Sequence, residues 1–393
     1  MLAGIRPLPS RTFDLDEADG CVLAEDVAAR WPLPSFDNSA MDGYAVMARD
    51  VAAATQTAPV TLPVDGEAVA GDTCQRNLAA GTCVRITTGA LLPAGADAVV
   101  RVEWTDGSTD RVAISVSVPP GASVRRIGGD ARPGDLLLAA GTRLGPPQLG
   151  LLAAAGQHSV LARPRPRVTV ISTGNELAGP GEPLMPGRIW ESNSYMLAAA
   201  VRRSGCLARR HRVVRDDQYD VLAAVREATP GADMLVTSGG VSMGGEQDAV
   251  KAALQKRGTI TFRKVAMQPG MPQGFGTVGP SGIPIFTLPG NPASAYVSFC
   301  LFVAPALDAL QGLSPEPHAT VRAILTSPLR SAPGRRSFLS GILDARARTI
   351  TPVTGRTSHQ LTALARANAL IIVPDHVTAL TAGDAVDVLE LPS

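Results

Sequence analysis

Four acidic residues, Glu176, Asp216, Asp217 and Asp248, lie in or beside three glycine-bearing segments: Thr173-Gly174-Asn175-Glu176, Ser238-Gly239-Gly240-Val241-Ser242 and Pro289-Gly290-Asn291-Pro292. Glycine lets backbone N–H groups close around a phosphate or another oxyanion, and a loop that opens a helix adds the positive end of the helix dipole. Asn291 reads as an N-cap, with Pro292 at the first helical position. One such loop is commonplace; three in one domain point to an anionic, nucleotide-like ligand. Carboxylates repel that ligand unless a hard cation stands between them, and magnesium is typically held by one or two carboxylates plus phosphate oxygens. The pattern therefore implies a Mg2+ site among these acids, with functional roles for Glu176 and Asp248 in glycine loops and one of Asp216 and Asp217 at the metal. Asp216-Asp217 has a second reading as an N-cap pair for a helix starting near Tyr219. Lys264, one of three lysines, suits a phosphate or oxyanion as a mobile point charge, or is a solvated residue at a strand end.

The elements that would position these groups follow from periodicity. Strand signals at 168–171, 211–214, 234–237 and 283–288 alternate with helical signals at 194–205, 219–228, 249–256 and 292–310. That alternation predicts an α/β domain with a mostly parallel sheet, whose ligands bind beyond the carboxyl ends of the strands. All three glycine loops follow such strands. Short apolar runs punctuated by Gly, Pro and Asp between about 55 and 124 predict a small inserted β domain, and residues 318–393 predict another around one helix at 360–367. Asp14 and Glu17 at capping-box spacing predict a short helix within 14–29, and 136–156 rejoins it in a helical platform. Arg163-Pro164-Arg165-Pro166-Arg167 is a stiff linker. The fold class is multi-domain α/β plus β: a discontinuous N-terminal helical platform (1–34 and 131–163), an inserted β domain (35–130), a central three-layer α/β domain (167–312) and a C-terminal β domain (318–393).

A net charge of +1, with 45% hydrophobic and 18% charged residues, supplies no field for nucleic acid or an anionic membrane. The five cysteines are scattered without a C-x-x-C pair, which favours a reducing compartment. No apolar run is read as spanning a bilayer and no leader is evident, so a cytoplasmic protein is expected. The most particular string is Pro32 to Val46, PLPSFDNSAMDGYAV: prolines impose an extended approach, Asp37-Asn38-Ser39 and Asp42-Gly43 favour turns, and Asp42 stands at the tip of an ordered loop. Arg126 and Asp130 read either as ligand contacts or as a surface ion pair.

That string, followed in order by Arg85-Ile86-Thr87-Thr88-Gly89-Ala90, Ile171 to Leu177, Arg215-Asp216-Asp217, Ser238 to Ser242 and Leu288 to Ala295, resembles the molybdopterin molybdenumtransferase family. The resemblance implies a dimer of four-domain subunits that inserts molybdate into adenylylated molybdopterin and releases AMP. Catalytic roles are implied for Asp42, Glu176, Asp216, Asp248 and Lys264. Substrate contacts are implied for Thr88, Arg126, Asp130, Thr173, Gly174, Ser238, Gly239, Gly240, Ser242, Pro289, Asn291 and Ser294. Partners would be the pterin and molybdate, the adenylyltransferase that makes the activated pterin, and molybdoenzymes. The chain departs from the family pattern at Gly129, Asn175, Gln268, Met271, Ser340 and Ala363, and an extra residue in 244–247 shifts the register before Asp248. Those departures motivate a second reading, a degenerate paralogue or scaffold that binds without inserting metal. A third, the adenylyltransferase, lacks the inserted β domain and the Pro32 to Val46 loop.

Overall fold

The computed structural model describes residues 2–73, 76–240, 249–255, 260–314, 320–353 and 361–391. The chain divides into two compact units, one of Phe13–Asp19 with Glu25–Val160, the other of Met1–Thr12, Gly20–Ala24 and Leu161–Ser393.

In the first unit, strands Ala98–Arg101, Gly43–Val46, Cys83–Ile86, Val60–Ala68 and Arg111–Ile114 form a five-stranded sheet in that order. Tyr44, Val46, Leu62, Val100, Val112 and Ile114 build its core. Gly43 has no room for a side chain, because a Cβ there would overlap the Val100 carbonyl oxygen of the neighbouring strand. The residue after Asp42 is thereby fixed against the sheet. Residues 14–29 do not form the expected α-helix. The capping signals yield only a 3₁₀ turn, Leu15–Glu17, and Gly20 at φ 74° turns the chain three residues later. Within the second unit Val22 and Leu23 instead pair with Arg163 and Ala162. In residues 131–163 the helical element is Pro146–Ala154, and the rest is turn and strand.

The second unit carries a six-stranded sheet ordered Leu207–Arg210, Arg167–Ser172, Met234–Ser238, Ile283–Leu288, Pro272–Val278, Thr261–Lys264. The first four strands are parallel to one another, and the last two pairings are antiparallel, so that Pro272–Val278 alone runs against the rest. Alternation along each strand splits the apolar residues between faces. Val168, Val170, Val236 and Phe286 pack on helix Asn193–Arg203 and the continuous helix Pro292–Leu310. Ile171, Leu235 and Ile285 pack on helices Gln218–Ala228 and Ala249–Gln255, giving three layers. The edge strand expected at 211–214 is Leu207–Arg210; Val214 only bridges to Thr173. Helix Pro292–Leu310 is long and apolar enough to cross a membrane by length and composition, contrary to the expectation of no such run, but 72% of its apolar window is buried inside the fold, as in a core helix. The C-terminal sheet runs Met267–Gln268, Arg336–Asp344, Thr349–Pro352, Thr320–Leu325, Ala385–Glu390, Ala369–Val373, and the last strand pairs back to Arg336–Asp344 so that five strands close on themselves. The first of these strands comes from the loop ahead of Pro272, which ties this sheet to the central one.

Candidate functional site

The three glycine loops converge beyond the carboxyl ends of strands Arg167–Ser172, Met234–Ser238 and Ile283–Leu288. They line a cleft of ≈ 510 Å³ that brings together Thr173, Gly174, Glu176, Asp216, Ser238, Gly239, Gly240, Pro289 and Asn291. The volume suits a nucleotide-sized ligand. The loops approach so closely that glycine is obligatory at the centre: Gly239 has φ +99°, and a Cβ there would overlap the Thr173 carbonyl oxygen and lie 2.9 Å from Thr173 Oγ1. Backbone bonds lock the contact, Thr173 N–H to Ser238 O at 3.0 Å and Gly239 N–H to Leu288 O at 3.2 Å.

The adjacent acids Asp216 and Asp217 separate by geometry. Asp217 is the N-cap of helix Gln218–Ala228, accepting from the N–H groups of Tyr219 at 2.8 Å and Asp220 at 3.3 Å. Asp216 is left to face the cleft, its own N–H held by Asn175 Oδ1 at 3.1 Å. Burial, and then the charge of Glu176, push its carboxyl above the usual range. Among the described residues, Asp216 Oδ1 and Thr173 Oγ1 are buried without a hydrogen-bond partner. An orphaned acceptor beside a second carboxylate is what a hard cation satisfies, so the donor set fits Mg2+.

Two groups that sequence reasoning missed complete the cleft. Asn193 Nδ2 donates to Ser238 Oγ at 2.8 Å and to Gly290 O at 2.6 Å, pinning two of the glycine loops to one side chain. Glu191 is buried and accepts from Ser172 Oγ at 2.8 Å, Ser194 N–H at 2.6 Å and Ser194 Oγ at 2.7 Å. Ser194 Oγ in turn accepts from Arg210 Nε at 2.8 Å, which links the buried acid to a cation through one hydroxyl. The polar run Trp190-Glu191-Ser192-Asn193-Ser194 ahead of an apolar helix was the available signal.

Other expected residues lie elsewhere. Ser294 is buried in the first turn of helix Pro292–Ser298 and does not line the cleft. Lys264 ends an exposed strand opposite Pro272, itself a lining residue. Ser242 and Asp248 fall outside the described residues. Gln268, Met271, Ser340 and Ala363 do not line this cleft. In the first unit, Asp42 Oδ1 accepts from Thr88 N–H at 2.6 Å and Thr88 Oγ1 at 2.8 Å, bonds that hold its carboxyl below the ordinary range. Arg126 does not pair with Asp130. Asp37 takes both the Ile127 N–H and Arg126 Nη1 at 2.7 Å, and Asp130 is positioned through its own N–H to Leu33 O at 2.9 Å.

The chain matches the MoeA N-terminal region (domain I and II) over residues 1–156, the probable molybdopterin binding domain over 169–309 and the MoeA C-terminal region (domain IV) over 322–391. It is 46% identical to molybdopterin molybdenumtransferase 2 of Mycobacterium tuberculosis, across 100% of this chain and 96% of that one. The chain belongs to the molybdopterin molybdenumtransferase family. The Haemophilus influenzae member is 35% identical over 97% of this chain and 94% of its own. Two crystal structures of the Pyrococcus horikoshii molybdopterin biosynthesis MoeA protein superpose with a TM-score of 0.76 each, at 32% and 28% identity, covering 98% of this chain and 95% and 96% of theirs. Every described residue lining the family member's cleft falls within the stretch that matches the molybdopterin binding domain.

Proposed function

We propose that this chain inserts molybdenum from molybdate into adenylylated molybdopterin, with Mg2+-dependent release of AMP. The observation that carries the reading is the orphaned Asp216 oxygen beside Glu176 in a cleft walled by three glycine loops. In this reading the loop N–H groups orient the phosphate, and Asn193 keeps two of those loops in register before the ligand arrives. Asp216 and Asp248 would hold Mg2+, which supplies charge neutralisation at the phosphoryl oxygens. Lys264 serves the oxyanion as a point charge. Ser242 is assigned to the substrate from the family pattern alone, and Ser294, buried behind the cleft, would act only as support for the loop at 289–292. The roles of Asp42, Thr88, Arg126 and Asp130, a homodimeric assembly, a cytoplasmic location and hand-over from the adenylyltransferase and to molybdoenzymes rest on family membership.

Purified protein given adenylylated molybdopterin, Mg2+ and molybdate should release AMP and yield a cofactor that reconstitutes a molybdoenzyme. Absence of molybdate-dependent AMP release overturns the reading. The scaffold alternative draws on Gln268 and Met271, which stand where family members often carry lysine. If Gln268→Lys with Met271→Lys greatly tightens molybdate binding, the oxyanion site has decayed; no change means that molybdate is held by other groups.

A further inference from the structure

Trp190 lines the cleft yet has no part in the reading above, and it leaves 54% of its surface in solvent. Its polar edge is already used, because the indole N–H donates to Glu182 O at 3.1 Å. What it offers a ligand is its ring face. The ring is also held in place: Ile189 and Trp190 pair in parallel with Leu177 and Ala178. Ile189 N–H donates to Glu176 O, and Glu191 N–H to Ala178 O, both at 2.8 Å. Through this short ribbon the indole is tethered to the turn that carries Glu176 and to the strand end that carries Glu191. Ile189, exposed at 56%, lines the same cleft, so the ribbon presents an apolar surface beside the polar lining of Thr173, Glu176, Asp216 and Ser238.

A rigid, half-exposed indole beside a phosphate cradle has the chemistry of a stacking platform, since every heterocyclic base has a π face and an aromatic side chain recovers apolar area on covering it. We propose that Trp190 stacks on the planar nitrogen heterocycle of the ligand and so sets affinity for it, an inference that rests on the function proposed above. Two rings of that ligand share this chemistry, the adenine of the leaving nucleotide and the pterin. A protein segment covering the same face is the competing occupant. The cleft favours the small ligand, because its apolar wall and its anion-binding floor lie within one cavity.

The test uses full-length protein with Trp31→Phe and Trp104→Phe, which leaves Trp190 as the sole tryptophan. Its fluorescence is titrated with AMP plus Mg2+, with pterin-6-carboxylate and with ribose 5-phosphate plus Mg2+. At least one ring-bearing probe should quench Trp190, and the probe that does so identifies the stacked ring. For that probe Trp190→Ala should raise Kd roughly tenfold and Trp190→Phe should restore most of the loss. Ribose 5-phosphate affinity should be the same in all three proteins. In AMP release, Trp190→Ala should raise KM and spare kcat. A ring-bearing probe that binds without quenching, and with Kd unchanged in Trp190→Ala, overturns the stack and leaves the proposed function standing; it points to a protein partner on this face. Wild-type protein that binds no probe and releases no AMP overturns both.

Discussion

Replacing Gly239 with alanine probes the closest approach in the cleft. Gly239 sits at φ +99°, a conformation that residues with a Cβ rarely adopt, and the new methyl would overlap the carbonyl oxygen of Thr173. That oxygen cannot swing aside as a side chain would, because the Thr173 backbone is paired to Ser238 and its neighbour Ser172 lies inside the parallel sheet. The backbone conformation costs about 1–3 kcal/mol and forced overpacking about 1–3 kcal/mol. For a unit of this size the sum lowers the melting temperature by on the order of 10 °C. Gly290→Ala is the matched control. It adds the same methyl to the facing loop, where the Cβ would be in ordinary contact at 3.5 Å from Gly239 Cα. It should shift melting by no more than about 2 °C. Gly174→Ala falls between in kind: the nearest atoms to its methyl are those of the movable Glu176 carboxylate, at 2.7–2.8 Å, so binding of AMP with Mg2+ should suffer more than melting does. Scanning calorimetry of the three variants beside wild type decides the matter. A Gly239→Ala protein that melts within about 2 °C of wild type, or a Gly290→Ala protein that melts as low as Gly239→Ala, refutes the claim that loop contact fixes the cleft.

Asp216 and Asp42 should show opposite pH signatures, measured by thermal melting with EDTA present. The Asp216 carboxyl is pushed up, so its contribution favours the fold below its ordinary value of 3.8 and is lost as pH rises through the raised value. Asp216→Asn should therefore melt above wild type at neutral pH, converge with it in acid, and fail to bind Mg2+ with AMP; a variant that melts below wild type at neutral pH contradicts the assignment. The Asp42 carboxyl is held down by Thr88, so its contribution is present above 3.8 and fades as pH falls through the lowered value. Wild type should exceed Asp42→Asn at neutral pH, with the gap closing in acid. Glu191→Gln replaces one carboxylate oxygen with an NH2 that opposes either Ser194 Oγ or the pair Ser172 Oγ and Ser194 N–H, which should cost about 1–3 kcal/mol in urea unfolding and loosen the start of helix Asn193–Arg203.

The central domain was readable because its signals are local. A strand of alternating apolar residues, a glycine turn and a helix start can each be recognised within ten residues, and the cleft is where three such turns meet. Asn193 was harder to read for the converse reason: the run at 190–194 marks a helix start, but Asn193 acts on partners 45 and 97 positions away, and Glu191 of the same run takes Ser172 from 19 positions back, so their tasks are set by the fold. The same distance dependence explains the two misplaced elements. Val22 and Leu23 become strand by pairing with residues near 162, a partner that no local window contains, while the capping signals before them are spent after one 3₁₀ turn. Leu207–Arg210 is an edge strand, largely exposed and rich in arginine, so its hydrophobic pattern is weaker than that of the Val213-Val214 pair that follows.

Adjacent Asp216 and Asp217 show what structure adds even where sequence found the right segment. Composition and spacing assign both acids equally to capping or to the metal. The helix can use one cap only, and Asp217 holds both available N–H groups at 2.8 and 3.3 Å. The remaining carboxylate is therefore held at a helix start by its neighbour's bonds, partly desolvated beside Glu176, with an oxygen that no donor among the described residues reaches. Such a group is unfavourable for stability by itself. In the proposed function a cation and a phosphate in the cleft would offset that cost, which is the physical reason to place the binding energy of the reaction there.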